Sequence, residues 1–285
     1  MQENYRHCEA LVRAADKDRY LAALFAPADR RGPLFALHAF NHEIASIRDR
    51  AREPMPGEIR LQWWRDVLGG ERAGEAAAHP VAAPLRDVMA RFDLPAAPLI
   101  DLVEAHAFDL YDDPMPTLAA LEGYARKTEA ALFGMAARIV AGHDDGALAA
   151  AADHAGIAHA LTALLRSFAH HASRRQIFVP LELLQRRGVR VEHILAGQTT
   201  PELREALADV RAEARRHLDA FGGLLAQLPA ASVPVFLPAA LAPGYLAVMD
   251  RPDYDPFRSA VQVPQWRRQW TLWRAARRWA RTMPG

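Results

Sequence analysis

Apolar residues recur at helical spacing along the whole chain, so most segments can present one apolar face. No stretch of useful length alternates apolar and polar residues as a half-buried strand does. The pattern therefore predicts an all-α fold. The predicted helices span residues 5–26, 31–52, 56–69, 80–92, 96–111, 116–142, 146–174, 180–187, 201–228, 233–249 and 264–282.

The connections between these helices are short and are marked by proline or glycine. Residues 93–98 and 112–116 are breaks that contain proline, and residues 142–146 (GHDDG) are predicted to form a turn. Residues 251–263 contain two prolines and are predicted to form a loop. Because none of these connections demands a domain boundary, residues 1–285 are predicted to form one domain.

The composition favours an ordered protein with a large core. Hydrophobic residues make up 51% of the 285-residue chain. The formal net charge of +1 gives no reason to expect nucleic-acid binding. The single cysteine, Cys8, excludes an internal disulfide and a CxxC zinc site. The N-terminal stretch lacks an apolar signal core, so a cytoplasmic location is expected. The uncharged stretch 232–248 contains three prolines and is interpreted as core helices rather than a membrane span.

Residues 160–180 (ALTALLRSFAHHASRRQIFVP) begin with an apolar helical face and then become strongly basic. Arg166, His170 and Arg174 are four residues apart, so on an unbroken helix they would form one stripe. Such a stripe is typical of the wall of an anion or diphosphate pocket, which makes the three residues candidates for ligand binding. The alternative is a solvated helix end, where cations suit the helix dipole.

Two other predicted helices carry candidate ligand-binding residues. His38 and His42 are four residues apart and Asp49 follows seven further on, so the three share a helical face that could bind a metal ion. The alternative is that both histidines are interior and hydrogen-bonded to neighbours. Tyr124 begins a segment that continues into small residues at 130–134, which allow close helix packing or leave room for an apolar ligand.

The segment 101–114 (DLVEAHAFDLYDDP) is acidic. Asp109 and Asp113 are four residues apart and could hold Mg²⁺ through carboxylate oxygens, especially together with a substrate diphosphate. Pro114 indicates that the helix ends at Asp113, so an acidic surface end is the alternative.

The predicted C-terminal helix combines tryptophan with arginine. Trp266, Trp270 and Trp273 fall on one stripe at helical spacing, and no acidic residue follows Asp255. Residues 264–285 could therefore lie on an anionic membrane surface as a peripheral contact. The pattern favours the alternative, a closing helix that packs its tryptophans into the core. The arginines on the other side are Arg267, Arg268, Arg274, Arg277, Arg278 and Arg281.

The order of these segments resembles the squalene/phytoene synthase family. The resemblance rests on residues 19–49 (RYLAALFAPADRRGPLFALHAFNHEIASIRD), 61–68 (LQWWRDVL), 106–111 (HAFDLY) and 160–184, which end in IFVPLELL, and it covers roughly residues 5–250. It implies the all-α isoprenoid synthase fold around a central apolar cavity. Active members of the family condense two prenyl diphosphates head to head, with Mg²⁺ held by two DxxxD motifs on facing helices.

Both aspartate motifs of the family are altered in this chain. In the first, ASIRD, Ala45 replaces the leading aspartate and only Asp49 remains. In the second, SFAHH, Ser167 and His171 stand at the carboxylate positions. This set is not expected to build a Mg²⁺–diphosphate site, because Mg²⁺ needs hard oxygen ligands. The pattern resembles the catalytically degenerate branch of the family, which includes assembly factors of respiratory complex I (NADH dehydrogenase).

The resemblance implies a non-catalytic assembly or lipid-binding factor for respiratory complex I at the inner membrane. The expected partners are NADH dehydrogenase subunits and an isoprenoid or quinone lipid. The expected location is the cytoplasm or the cytoplasmic face of the inner membrane, and no cofactor is expected. The alternative function is a Mg²⁺-dependent head-to-head prenyl transferase acting on prenyl diphosphates, with Asp49, Asp109 and Asp113 as candidate metal ligands.

Overall fold

The computed structural model describes residues 1–51, 53–142 and 146–283. Within these residues the chain forms helices and no β-strand, which confirms the predicted all-α fold. The α-helices are α1 (Gln2–Ala15), α2 (Lys17–Ala23), α3 (Ala28–Ala45), α4 (Ile47–Arg50), α5 (Pro54–Gly69), α6 (Ala73–Ala78), α7 (Ala82–Arg91), α8 (Ala96–Ala105), α9 (Leu118–Ala125), α10 (Ala131–Ala141), α11 (Gly146–Arg166), α12 (Phe168–Ser173), α13 (Leu181–Arg186), α14 (Val191–Leu195), α15 (Pro201–Leu224), α16 (Val233–Phe236), α17 (Ala242–Met249) and α18 (Gln265–Thr282).

The predicted helix 5–26 begins at Gln2 and is divided between α1 and α2 at Asp16. The Asp16 carboxylate accepts hydrogen bonds from the backbone N–H groups of Asp18 (3.2 Å) and Arg19 (3.0 Å). Asp16 is therefore the N-cap of α2, and this local bonding explains why one apolar stripe is carried by two helices.

The predicted helix 31–52 begins earlier, at Ala28, and is divided between α3 and α4 at Ser46. The Ser46 hydroxyl donates a hydrogen bond to the carbonyl oxygen of His42 (2.6 Å), so the side chain competes with the helical ladder. Arg52, the last residue of that prediction, lies outside the described residues.

The predicted helix 116–142 contains a π-helical segment, Arg126–Ala130, between α9 and α10. Gly156 of α11 lies directly against this segment. A Cβ atom at Gly156 would lie 2.3 Å from the Cα atom of Ala130, which is too close for any side chain. Glycine therefore permits the close approach of α11 to the π-helical segment.

The predicted helix 146–174 is divided between α11 and α12 at Ser167. The predicted turn 142–146 falls mainly on residues 143–145, which lie outside the described residues. Gly142 ends α10 with a φ angle of +78°, a conformation that glycine adopts without strain.

Other differences from the predicted helices also follow local chain chemistry. The predicted helix 96–111 stops with α8, and Phe108–Leu110 forms a separate 3₁₀ turn. The predicted helix 233–249, which contains three prolines, is divided into α16, a 3₁₀ segment (Leu237–Leu241) and α17. Helices α6 and α14 were not predicted. The remaining predictions match α5, α7, α13, α15 and α18, and residues 251–263 form a loop as expected.

Helix α11 lies at the centre of the core and packs against α10, α15 and the π-helical segment. Ile157 and Leu161 of α11 are fully buried, as are Phe40 of α3 and Phe236 of α16. Burial of each such side chain contributes about 1.5–3 kcal/mol, so these contacts fix the helices that surround the candidate site.

Two segments, Gly146–Arg166 and Ala230–Met249, are long and apolar enough to cross a membrane. However, 61% and 72% of their most apolar windows are buried inside the protein. Core helices give the same signature, which agrees with the interpretation of residues 232–248 as core.

Helix α18 packs only one face against the rest of the chain. Leu272 and Trp279 are buried, whereas Trp266, Trp270 and Trp273 are 64%, 52% and 39% exposed. The expectation that this tryptophan stripe packs into the core is therefore wrong. The reason is that the face carrying Leu272 and Trp279 makes the core contact and turns the stripe to solvent.

Candidate functional site

A cavity of about 280 Å³ lies between the α3–α4 turn and the α11–α12 turn. Ala45 and Asp49 line it on one side, and Ser167 and His171 line it on the other. The two segments that the resemblance matches to the aspartate motifs therefore face each other across one cavity. Candidate residues Tyr124, His170 and Asp109 also line this cavity.

An ion pair joins the two facing segments at the mouth of the cavity. Arg174 donates to the Asp49 carboxylate and also to the carbonyl oxygen of Arg48 (3.3 Å). The Nε2 atom of His170 lies 3.4 Å from the same Asp49 oxygen. Because Asp49 is half-exposed, this pair is worth about 1 kcal/mol or less, and its main effect is to place a cation on the remaining motif aspartate.

Asp109 forms a buried hydrogen-bonded group on the cavity wall. Its carboxylate accepts from the Tyr124 hydroxyl (3.0 and 3.1 Å) and lies 2.6 Å from Nδ1 of His106. The side-chain amide of Gln176 donates to the Asp109 carbonyl oxygen (2.9 Å). Burial, together with the neighbouring Asp109, raises the pKa of Tyr124 well above its usual range, so the phenol stays protonated and donates.

His171 replaces a motif carboxylate with a neutral ring. Its imidazole packs against Phe178 with ring centroids 4.8 Å apart. Burial lowers the pKa of His171 to about 4, although Asp109 lies nearby and favours protonation. At neutral pH the position therefore carries no charge, where a Mg²⁺ site would require an anion.

Glu129, from the π-helical segment, lines the same cavity, and its negative charge is balanced by neighbouring side chains. It accepts a hydrogen bond from Arg19 and lies 3.1 Å from Nδ1 of His159. Burial raises the pKa of Glu129, but Arg19 and His159 outweigh that effect and hold it below its usual range. His38 lies beside this group: burial and the Arg19 charge lower the pKa of His38 to about 3. His38 is thus a neutral interior histidine at neutral pH.

A second cavity of about 620 Å³ adjoins the first and shares Glu129 and Ser167 with it. Arg166 lines this second cavity, whereas His170 lines the first and Arg174 pairs with Asp49, so the predicted single stripe of these three residues is wrong. The turn at Ser167 rotates the chain between Arg166 and the later two residues.

Arg166 belongs to a compact ionic group in the second cavity. Its guanidinium stacks 3.7 Å from the ring centroid of Tyr245, and its Nη1 atom lies 3.7 Å from Asp18. Asp18 also accepts from Tyr245 and from Nη1 of Arg268 (2.6 Å). The buried Asp18 carboxylate therefore occupies the anion position between two arginines and ties α18 to α2.

Two predicted residue sets do not come together. Asp113 is exposed beyond the 3₁₀ turn, because the helix that would align it with Asp109 has already ended. His42 lies outside both cavities, whereas His38 is buried near Glu129 and Asp49 lines the first cavity. The predicted His38–His42–Asp49 metal face is wrong because the turn at Ser46 separates Asp49 from the helix.

Mg²⁺ bound to diphosphate needs several carboxylate oxygens that converge on one ion. Among the described residues, the wall of the first cavity carries Asp49, Asp109 and Glu129. Their oxygens bond to separate partners, Arg174, Tyr124 and Arg19, and do not converge on one point. These residues do not fit the ligand set of a diphosphate-bridging metal cluster.

The family profile described as squalene/phytoene synthase matches residues 12–274. The chain belongs to this family. Complex I assembly factor 6 from Bos taurus is 30% identical over 257 residues, which cover 90% of this chain and 77% of the relative. The Homo sapiens protein of the same name is 29% identical over 256 residues, with 90% and 77% covered. A 15-cis-phytoene synthase from Synechocystis is 26% identical over 277 residues, with 93% and 82% covered.

Solved structures confirm the isoprenoid synthase fold. A dehydrosqualene synthase superposes with a TM-score of 0.84 at 19% identity, covering 96% of this chain and 95% of that one. A squalene synthase, HpnC, from Alicyclobacillus acidocaldarius gives a TM-score of 0.74 at 22% identity, covering 90% and 96%. At such identities the likeness shows the fold alone.

Proposed function

We propose that this protein assists the assembly of respiratory complex I through contacts with NADH dehydrogenase subunits and does not condense prenyl diphosphates. One observation carries the proposal: the two facing motif segments present Ala45, Ser167 and His171 to the cavity, and Arg174 pairs with the remaining Asp49. The relatives named complex I assembly factor 6, at 30% and 29% identity over most of the chain, support the assembly role.

The two adjoining cavities measure about 280 and 620 Å³, and pockets that enclose one drug-sized ligand measure about 300–1,000 Å³. The apolar space lined by Leu165, Phe168 and Val179 measures only about 10 Å³. The isoprenoid or quinone ligand stays a prediction, and an apolar tail directed into that space would require these side chains to move. Native mass spectrometry of the gently purified protein tests it.

The proposal is tested by deleting the gene and measuring complex I on native gels together with cellular isoprenoids. We expect less assembled complex I and unchanged isoprenoids. Rescue by Asp49→Asn should equal rescue by the wild type, with the surface variant Asp29→Asn as a control. Loss of an isoprenoid product with intact complex I would contradict the proposal.

A complementary assay uses the purified chain with farnesyl and geranylgeranyl diphosphate in the presence of Mg²⁺. We expect no release of diphosphate under conditions in which a dehydrosqualene synthase turns over. The alternative function, a prenyl transferase, predicts Mg²⁺-dependent release that disappears in Asp49→Ala, and that result would overturn the non-catalytic role.

We also propose that α18 contacts the cytoplasmic face of the inner membrane as a peripheral helix. Trp266, Trp270 and Trp273 are exposed, and the rings of Trp270 and Trp273 stack at 4.9 Å. Indole rings beside arginine suit the interface of an anionic bilayer. The exposed arginines around them are Arg267, Arg274, Arg277, Arg278 and Arg281.

Flotation with vesicles that contain phosphatidylglycerol tests the membrane contact. Replacing Trp266, Trp270 and Trp273 by serine should abolish flotation, and higher salt should weaken it. The matched control replaces two other exposed apolar residues, Met55 and Ile59, by serine. Equal losses in both variants, or equal binding to neutral vesicles, would count against a membrane role for α18.

A further inference from the structure

A cluster of metal-ligating side chains lies outside both cavities, where α9, α11 and α15 meet. Glu213 and His217 are four residues apart on α15, so they share one helical face, and Glu122 of α9 faces them. The Nε2 atom of His217 lies 3.3 Å from Glu213 Oε1 and 3.4 Å from Glu122 Oε1. Ligands about 2.1 Å from a tetrahedral metal lie about 3.4 Å from one another, so these separations suit one ion.

The two ring nitrogens of His217 face different partners. Nε2 lies 2.9 Å from Nη2 of Arg216 and points at the Glu122 and Glu213 carboxylates. Nδ1 lies 2.9 Å from Nδ1 of His154 on α11. A ligating histidine is usually oriented in this way through its other nitrogen.

Arg216 occupies the position that a cation would take. Its Nη2 atom lies 3.2 Å from Glu122 Oε1 and 2.9 Å from Nε2 of His217, and it also contacts Glu213 Oε1. A single guanidinium nitrogen thus contacts all three convergent acceptor atoms. His217 is 1% exposed, whereas the Arg216 side chain is 57% exposed and has room to rotate into solvent. The other oxygen of Glu122 faces Arg126 (3.4 Å), which leaves Oε1 directed at His217.

We propose that Glu122, Glu213 and His217 bind one divalent transition-metal ion of the Zn²⁺ type, and that Arg216 is an internal cation that the metal displaces. One imidazole nitrogen with two carboxylates favours Zn²⁺ and its first-row neighbours over Mg²⁺ and Ca²⁺. Water completes the coordination, and the bound ion links α9 to α15. This site is independent of the assembly role proposed above.

The test titrates Zn²⁺ into the full, metal-stripped chain against a chromogenic chelator. We expect one Zn²⁺ per chain, binding at least about tenfold tighter in Arg216→Gln and at least about tenfold weaker in Glu213→Gln. The matched control is Arg215→Gln, because Arg215 lies on the same helix but pairs with Asp250. Tighter binding in Arg216→Gln alone supports displacement of Arg216. Equal tightening in both variants, or none in Arg216→Gln, overturns it.

A second measurement leaves the buried His217 unchanged and follows the stability of the folded chain. Glu122→Gln and Glu213→Gln keep the side-chain shape, and thermal denaturation with and without Zn²⁺ shows whether the ion stabilises the folded chain. Zinc should raise the melting temperature of Arg216→Gln but not of Arg216→Gln combined with Glu213→Gln. X-ray absorption should show one nitrogen ligand among oxygens. The site is refuted by no Zn²⁺ binding to the wild type or Arg216→Gln, or by a first shell containing sulfur.

Discussion

Replacing Gly156 by alanine should destabilise the protein, although the same change inside a helix is normally favourable. The new Cβ would lie 2.3 Å from the Cα atom and 2.6 Å from the backbone nitrogen of Ala130. Ordinary contact begins near 3.4 Å, so α11 and the π-helical segment must separate by about 1 Å. Because the clash is with backbone, rotation of a side chain cannot relieve it.

The expected magnitude follows from two opposing effects. Overpacking of a core contact costs about 1–3 kcal/mol, and more when backbone must move. Alanine recovers about 0.5–1 kcal/mol of helix propensity relative to glycine. Because backbone must move here, the cost lies at the upper end, and the free energy of unfolding should fall by about 2 kcal/mol or more in Gly156→Ala. The displacement would also move Glu129 away from Arg19, since Glu129 belongs to the π-helical segment.

Gly134→Ala is the matched control, because Gly134 lies inside α10 and a Cβ there meets nothing within 4 Å. This control should gain about 0.5–1 kcal/mol. Urea denaturation followed by circular dichroism measures both variants. If Gly156→Ala is as stable as Gly134→Ala, the predicted backbone clash at Gly156 has no energetic cost and the reasoning is refuted.

Three further outcomes are expected. The pKa of His171 is about 4 in the folded chain and about 6.5 in the unfolded chain, so between these pH values the unfolded chain binds the extra proton. The free energy of unfolding should therefore fall by up to about 3 kcal/mol as the pH drops from 6.5 to 4. Urea titrations of His171→Gln should show a smaller drop. Asp18→Asn should cost about 3 kcal/mol and make α18 more sensitive to protease, because the buried Asp18 carboxylate is the anionic partner of the partly buried Arg268, whereas exposed Asp29→Asn should change little. Asp49→Asn should cost less than about 1 kcal/mol by the same denaturation assay.

The positions of most helices could be predicted because burial of one face leaves a periodic apolar pattern. The interruptions at Asp16, Ser46 and Ser167 could not be predicted, since each is a single residue between two helices and leaves the apolar pattern intact. Their cause is local: the Asp16 carboxylate caps α2, and the Ser46 hydroxyl bonds to the carbonyl oxygen four residues earlier. Single polar residues of this kind are common within unbroken helices, so their presence alone predicts nothing.

The facing of the two motif segments could be inferred from the family resemblance, but the groups behind them could not. Glu129 reaches the cavity from a π-helical segment, whose extra residue per turn leaves no signature in the sequence. His106 and Asp109 are three residues apart in HAFDLY, and this spacing was the one available signal for their contact. Glu122 and His217 are 95 residues apart in sequence, so only helix packing reveals their cluster.

The charges around the cavities are balanced by groups of the chain itself. Repulsion among clustered carboxylates would normally need a bound cation. Here arginines of the chain supply that charge: Arg174 pairs with Asp49, and Arg19 pairs with Glu129. The Asp49–Arg174 pair joins the same two helical segments that Mg²⁺ and diphosphate would bridge in the active members of the family. Because Asp49 is half-exposed, this pair contributes about 1 kcal/mol or less. The buried contacts of α11 with α10, α15 and the π-helical segment therefore hold the helices around the cavity, and the pair sets only the charge at its mouth.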